Sequence, residues 1–211
     1  MSATAIDRFD GCIAGLGTVA GLRVVIGHWT RSPLGAFTDV MVEQPDGHRV
    51  LLAPSDAVAG FVAGTYRFDE VRVGPLTTTV DGPRWSVRAP GLTVAFRTAG
   101  RPPLGLLLRA VPRPLATAPW WIAGLDAVAS RVLPGVRTRG SAGGGREELY
   151  AALDLHRVVE AAVTWAGADQ GGIAAVDPPV RFGFGSTPRA PSLVRIVTLV
   201  RSGAGSAVDG P

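Results

Sequence analysis

The stretch WTRSPLGAFTDVMVEQPDGHRVLLAP, residues 29–54, decides the architecture. Within it AFTDVMVEQ sets Thr38, Val40, Val42 and Gln44 against Phe37, Asp39, Met41 and Glu43. That is a period of two, the mark of a strand with an apolar side at 40 and 42 and a mixed apolar and acidic side opposite. Pro45, Asp46 and Gly47 supply a tight turn and HRVLLA returns the chain, so residues 36–53 read as a β-hairpin. Ser32, Pro33 and Gly35 place another turn directly before the first strand.

Working outward, LRVVIGHW (residues 22–29) is short and β-branched, as a strand should be. After the hairpin, Ser55 stands as an N-cap before AVAGFVAGTY, which predicts a short helix. Residues 69–80, 84–89 and 92–99 are rich in Val, Thr and aromatics and are separated by DGP and PG turns, so they read as further antiparallel strands. Residues 120–133 carry a helical run ended by Pro134 and Gly135. Residues 147–165 are rich in helix-favouring Glu, Leu and Ala, and helix is the favoured reading. Their odd positions are also mostly apolar, so a long strand interrupted at Arg157 fits as well. Residues 171–185 and 192–201 return to strand character. Residues 1–10 read as a loose leader and 201–211 as a small-residue tail. The fold class that follows is α+β: a single domain over 11–200, built on a largely antiparallel curved sheet or β-barrel, with two or three helices inserted in the second half.

Composition excludes several chemistries. The chain is 46% hydrophobic, with a mean hydropathy of +0.25. Its most apolar segments, 11–29 and 114–133, are interrupted by Arg23 and by Pro119 and Asp126, so no membrane span is expected. Asp7 and Asp10 stand where a secretory signal would be basic, which points to the cytoplasm. Cys12 is the single cysteine, and His28, His48 and His156 have no metal-binding spacing, so no metal or other cofactor is called for. The chain contains no lysine, and all 21 of its basic residues are arginine. Schiff-base catalysis by a lysine and a P-loop phosphate site are therefore ruled out.

Charge is unevenly placed. Residues 97–146 carry Arg97, Arg101, Arg109, Arg113, Arg131, Arg137, Arg139 and Arg146 against Asp126, while 147–177 carry Glu147, Glu148, Asp154, Glu160, Asp169 and Asp177 against Arg157. Adjacent segments of opposite sign read as faces that neutralise each other or line one cleft. No nucleic-acid-binding motif accompanies the basic segment, so nucleic acid is not expected as a partner.

Three patterns are candidates for chemistry. GLGTVAG (residues 15–21) fits G-x-G-x-x-A, but the strand-like LRVVIG follows where a dinucleotide site needs a helix, so it reads as a flexible lead-in. RTRGSAGGGREELY (residues 137–150) is glycine-rich and carries Arg137, Arg139 and Arg146, which could clamp a carboxylate or phosphate. Asp39 and Glu43 share one side of a strand with Phe37 and Met41; beside apolar surface their pKa values can rise enough for acid–base work. The bland alternative is a solvated side with these acids paired to Arg31 or Arg49.

SPLGAFTDVMV (residues 32–42) resembles the Ser-Pro-x-Gly-x-Tyr-x-Glu segment of the acetoacetate decarboxylase-like superfamily, where it leads into a strand of a β-barrel enclosing a small acidic substrate. Phe37 stands in place of the tyrosine and Asp39 in place of the glutamate. The decarboxylases of that superfamily use a Schiff-base lysine, so the resemblance implies the fold without that activity. It leaves room for enol or hydratase-type chemistry on keto or hydroxy acids and polyketide-like compounds. The combined reading is a domain that binds, and can convert without a Schiff base, a small carboxylate-bearing apolar metabolite. Asp39 and Glu43 are its candidate catalytic residues, and Arg31, Phe37, Arg109, Arg137, Arg139 and Arg146 its candidate substrate-binding residues. A non-catalytic ligand-binding or protein-interaction module remains the alternative, and whether the chain forms a homo-oligomer stays open.

Overall fold

A computed structural model describes residues 6–124, 138–141, 146–183 and 187–201. The hairpin forms as read: β3 (Phe37–Glu43) and β4 (Arg49–Ala53) pair antiparallel with Val40 opposite Leu52 and Glu43 opposite Arg49. Gly47 takes φ +90° in the turn, a conformation that favours glycine. Around the hairpin lie β1 (Ile6–Thr18), β2 (Arg23–Arg31), α1 (Asp56–Ala63), β5 (Glu70–Val73), β6 (Thr77–Asp81), β7 (Arg84–Ala89) and β8 (Leu92–Thr98). Ser55 caps α1 by accepting from the Val58 amide, as its position predicts. Then come α2 (Pro103–Ala110), α3 (Arg113–Ala116), β9 (Arg139–Ser141), β10 (Glu147–Trp165), β11 (Ala168–Asp169), β12 (Ile173–Ala174) and β13 (Ser192–Arg201).

The sheet runs β5-β4-β3-β2-β1-β13-β10-β8-β7-β6, antiparallel except where β5 joins β4. Its two edge strands, β5 and β6, are separated in the chain by residues 74–76 alone. Laid flat, ten strands would hold their edges about 40 Å apart, whereas that connection reaches at most about 14 Å. The sheet must therefore curl, and it forms a half-barrel of mostly antiparallel strands in a single domain. Curling brings Val24, Ile26, Val40, Val42, Val50 and Leu52 against Val87, Val94 and Phe96 in one buried cluster. The even, apolar side of the hairpin thus faces inward, and the inner face is filled there by packed side chains.

Several expectations need correction. Residues 6–10 are the start of β1, paired with β13, and not a leader. Gly15 and Gly17 belong to the same strand, not to a flexible segment. A Cβ on Gly17 would lie 2.1 Å from the Ala175 carbonyl oxygen, just past the β12 pairing that sets Gly17 opposite Ala174. Gly17→Ala is expected to destabilise the fold by about 1–3 kcal/mol through overpacking, read as a lower urea midpoint with an unchanged m-value. Residues 147–165 form the strand β10, not a helix. Helix propensity differs by only tenths of a kcal/mol among these residues, while β10 gains partners on both edges from β13, β8 and β9. Register shifts at 152–154 and 158–160 reset its alternation. Leu149, Ala151 and Leu153 therefore join one cluster, and Val158, Val163 and Trp165 join another. Of the strand expected over 171–185, the described residues 171–183 form only β12. Of the helix expected over 120–133, residues 119–124 are helical and the remainder lies outside the described residues.

The charge asymmetry is largely internal pairing. Arg97 pairs with Glu160, Arg101 with Asp154 at 2.8 Å, and Arg139 with Glu147 at 2.5 Å. Among the described residues no helix is long and apolar enough to cross a membrane.

Candidate functional site

The odd side of β3 faces outward from the curl and is covered by α1 and by residues 176–182: Leu51 and Ala53 pack against Val58 and Val62, and Val25 against Val176, Val180 and Phe182. Asp39 lies under this cover, 2% exposed. Its strand neighbour in β2 is Gly27, where a Cβ would sit 2.6 Å from Asp39 Oδ1 and 2.8 Å from Trp29 Nε1. The missing side chain is what lets Trp29 Nε1 donate to Asp39 Oδ1 at 3.0 Å. Trp29 packs edge-on against Phe9 at 5.7 Å, and Phe9 meets Phe61 of α1 at 5.0 Å; Phe37 flanks Trp29 at 6.4 Å. Burial in this apolar surrounding pushes the Asp39 carboxyl up to about 7, against the smaller opposing effect of the Trp29 hydrogen bond.

Further along the same face Glu148 and Tyr150 stand two apart on β10, and Tyr66 follows α1. The Tyr66 hydroxyl donates to Glu148 Oε2 at 2.8 Å and the Tyr150 hydroxyl donates to the same oxygen at 2.7 Å. The two hydroxyls also contact each other. Burial raises the Glu148 carboxyl and outweighs the tyrosine hydrogen bonds and the Arg146 charge that pull it down. Both tyrosines are pushed well above their ordinary range, first by burial and then by the Glu148 charge, and Tyr66 also feels Asp39. Arg146 closes this end: its Nη1 donates to the Phe61 carbonyl at 3.2 Å and to Thr65 Oγ1 at 3.1 Å, and its guanidinium lies 4.9 Å from the Phe61 ring centre. It has no carboxylate partner within ion-pair distance among the described residues.

The other sequence candidates are placed as follows. Glu43 is fully buried and is held by Arg23 at 3.3 Å and by Arg181, whose backbone amide donates at 2.7 Å and whose Nε donates at 3.1 Å. Arg31 pairs with Asp10, Arg109 lies 3.9 Å from Asp154, and Arg139 pairs with Glu147. Arg137 lies outside the described residues. Of these candidates, Asp39, Phe37 and Arg146 share the aromatic face, while Arg31, Arg109 and Arg139 have carboxylate neighbours elsewhere. Trp29, Tyr66, Glu148 and Tyr150 are not among the site residues that the sequence reading put forward. The Glu148-x-Tyr150 spacing carried the signal, but it puts two side chains on one face only in a strand. A polar hollow of about 480 Å³ opens on the surface between Asp46, His48, Arg49, Asp69 and Arg181. Its main charges are already spent, Arg49 on Asp69 at 2.9 Å.

No protein-family model and no curated protein matches the sequence. Among solved structures the chain is similar to acetoacetate decarboxylase from Legionella pneumophila, with 8% identity and a TM-score of 0.42 over 94% of this chain and 86% of that one. It is also similar to a protein from Nitrosomonas europaea provisionally assigned as AttH, with 12% identity and a TM-score of 0.36 over 97% of this chain and 54% of that one.

Proposed function

We propose that the aromatic outer face binds a small, apolar, carboxylate-bearing carbonyl compound and exchanges a proton with it without a Schiff base. The observation that carries this reading is the position of Asp39: a carboxyl group under an aromatic cover, with Trp29 Nε1 as its side-chain donor. With a pKa of about 7 it can both take and return a proton near neutrality. In this reading Asp39 removes a proton from the carbon beside the carbonyl. Tyr66 or Tyr150 donates a hydrogen bond to the enolate oxygen that develops, and the proton returns from Asp39 to carbon. Arg146 anchors the carboxylate. Glu43 serves as a fixed anion holding Arg23 and the 178–181 segment over the face.

A second reading, a non-catalytic ligand-binding or interaction module, is favoured by the hydrogen bonds that both oxygens of Glu43 and Oε2 of Glu148 already hold. The two are separated by incubating the protein with keto acids and polyketide-like acids in deuterated water, and following both melting temperature and loss of the α-proton signal. Proton transfer requires an acid that raises the melting temperature and exchanges its α-proton, with exchange falling on the order of 100-fold in Asp39→Asn. A raised melting temperature with no exchange supports the module. No response to any acid in the panel removes the small-acid reading.

A further inference from the structure

The helix α2 is turned the wrong way for a helix that only serves the fold. The residue it buries against β10 is Gly105, whose Cβ would lie 2.3 Å from the Leu155 carbonyl oxygen. Leu104 and Leu108 are half-buried, but Leu106 and Leu107 point outward, 59% and 65% exposed, and Trp120 in the helical stretch that follows is 69% exposed. Exposed large apolar groups gathered within one short segment mark a contact surface.

The charges within the segment itself are of one sign. Residues 97–124 contain no acid. At the foot of α2 and α3, Asp10 and Asp154 lie on β1 and β10, the two strands that flank β13. Each is outnumbered by arginine. Asp10 meets Arg8 at 2.9 Å, Arg31 at 3.0 Å and Arg113 at 2.9 Å; Asp154 meets Arg101 at 2.8 Å and Arg109 at 3.9 Å. Arg195 stands on β13 in register with Asp154, exposed. Two carboxylates against these six arginines leave a surplus equal to the net charge of the entire chain, +4.

We propose that this face docks on an anionic lipid surface, with Leu106, Leu107 and Trp120 entering the headgroup boundary and the surrounding arginines meeting lipid phosphates. Leucine and tryptophan beside arginine on short helices are the composition of an interfacial segment, and each arginine close to an anionic leaflet adds attraction. A second copy of this chain fits less well, since a two-fold contact would set the same basic surplus against itself. This surface is independent of the Asp39 site and stands or falls without it.

The test is co-sedimentation of the full chain with phosphatidylcholine vesicles, with and without phosphatidylglycerol, at low and high salt, together with light scattering of the free protein. Binding to the anionic vesicles is expected to exceed binding to neutral ones on the order of a hundredfold, and to weaken as salt rises. Leu107→Glu and, separately, Trp120→Ser should each lower it by about tenfold while leaving the melting curve of the protein unchanged, because both side chains are exposed. Arg195→Gln should weaken binding to anionic vesicles only. Equal or absent binding to the two vesicle types overturns the proposal, as does anionic binding that Leu107→Glu and Trp120→Ser leave intact. An oligomer that Leu107→Glu dissolves, with no vesicle binding, also overturns it and makes the face a self-association surface.

Discussion

Asp39→Asn is expected to make the protein more stable at pH 8 and no more stable at pH 4. The carboxyl of Asp39 stands at about 7 in the fold because burial disfavours its charge; in an unfolded chain it stands at about 3.9. Between these values the native state keeps a proton that the unfolded state has released. Stability is therefore complete below about pH 4, falls as pH rises towards 7, and levels off above. A separation of about three units corresponds to a loss on the order of 4 kcal/mol at alkaline pH. Asparagine cannot ionise, and its carbonyl oxygen can still accept from Trp29 Nε1, so the variant escapes this loss. Urea unfolding of both proteins at pH 4, 6 and 8 measures it. Glu148, whose carboxyl is also raised by burial, is present in both proteins, and its contribution cancels in the difference. Parallel stability curves would mean that Asp39 titrates like an exposed aspartate, and the proton-transfer reading would lose its base. Greater stability combined with lost proton exchange is the trade expected where a strained charge serves chemistry.

Glu43→Gln is expected to act in the opposite direction, lowering stability by about 3–5 kcal/mol near neutral pH. Both members of the Glu43–Arg23 pair are buried, with side chains 0% and 3% exposed. Arg23 also donates to the Pro178 carbonyl at 3.1 Å and the Gln44 carbonyl at 3.0 Å, while its buried Nε has no hydrogen-bond partner. Removing the carboxylate charge strands the guanidinium among neutral groups, which is the costly way to break a buried pair. Replacing both partners together, Arg23→Met with Glu43→Leu, should recover most of the loss, since no unpaired charge then remains. Arg181 touches the same carboxylate, but its side chain is 69% exposed. Arg181→Ala is accordingly expected to cost less than about 1 kcal/mol. Denaturant midpoints of the three variants check the ordering. If Glu43→Gln proved as mild as Arg181→Ala, the pair would not hold the cover over the Asp39 face.

The half-barrel was legible because strand patterning is local. Alternation at 37–44, the PDG turn and the Ser55 cap each depend on a few neighbouring side chains, and β2 to β8 and α1 lie close to their expected positions. The lysine-free composition likewise decided, with no structure needed, that no Schiff base forms on a lysine side chain. β10 was the place where local preference failed. Its Glu, Leu and Ala favour helix weakly, and only pairing with distant β8 and β13 overrides them. The site shared that fate: Glu148 and Tyr150 share a face only once β10 is a strand, and Tyr66 reaches them across 82 and 84 positions of chain. The sequence by itself determined which side of the hairpin is apolar, which places Asp39 and Glu43 together on the other. Only the tertiary structure decided their different fates, because desolvation and ion pairing depend on what covers a side chain: Glu43 meets Arg23 and Arg181, whereas Asp39 meets an indole and apolar surface.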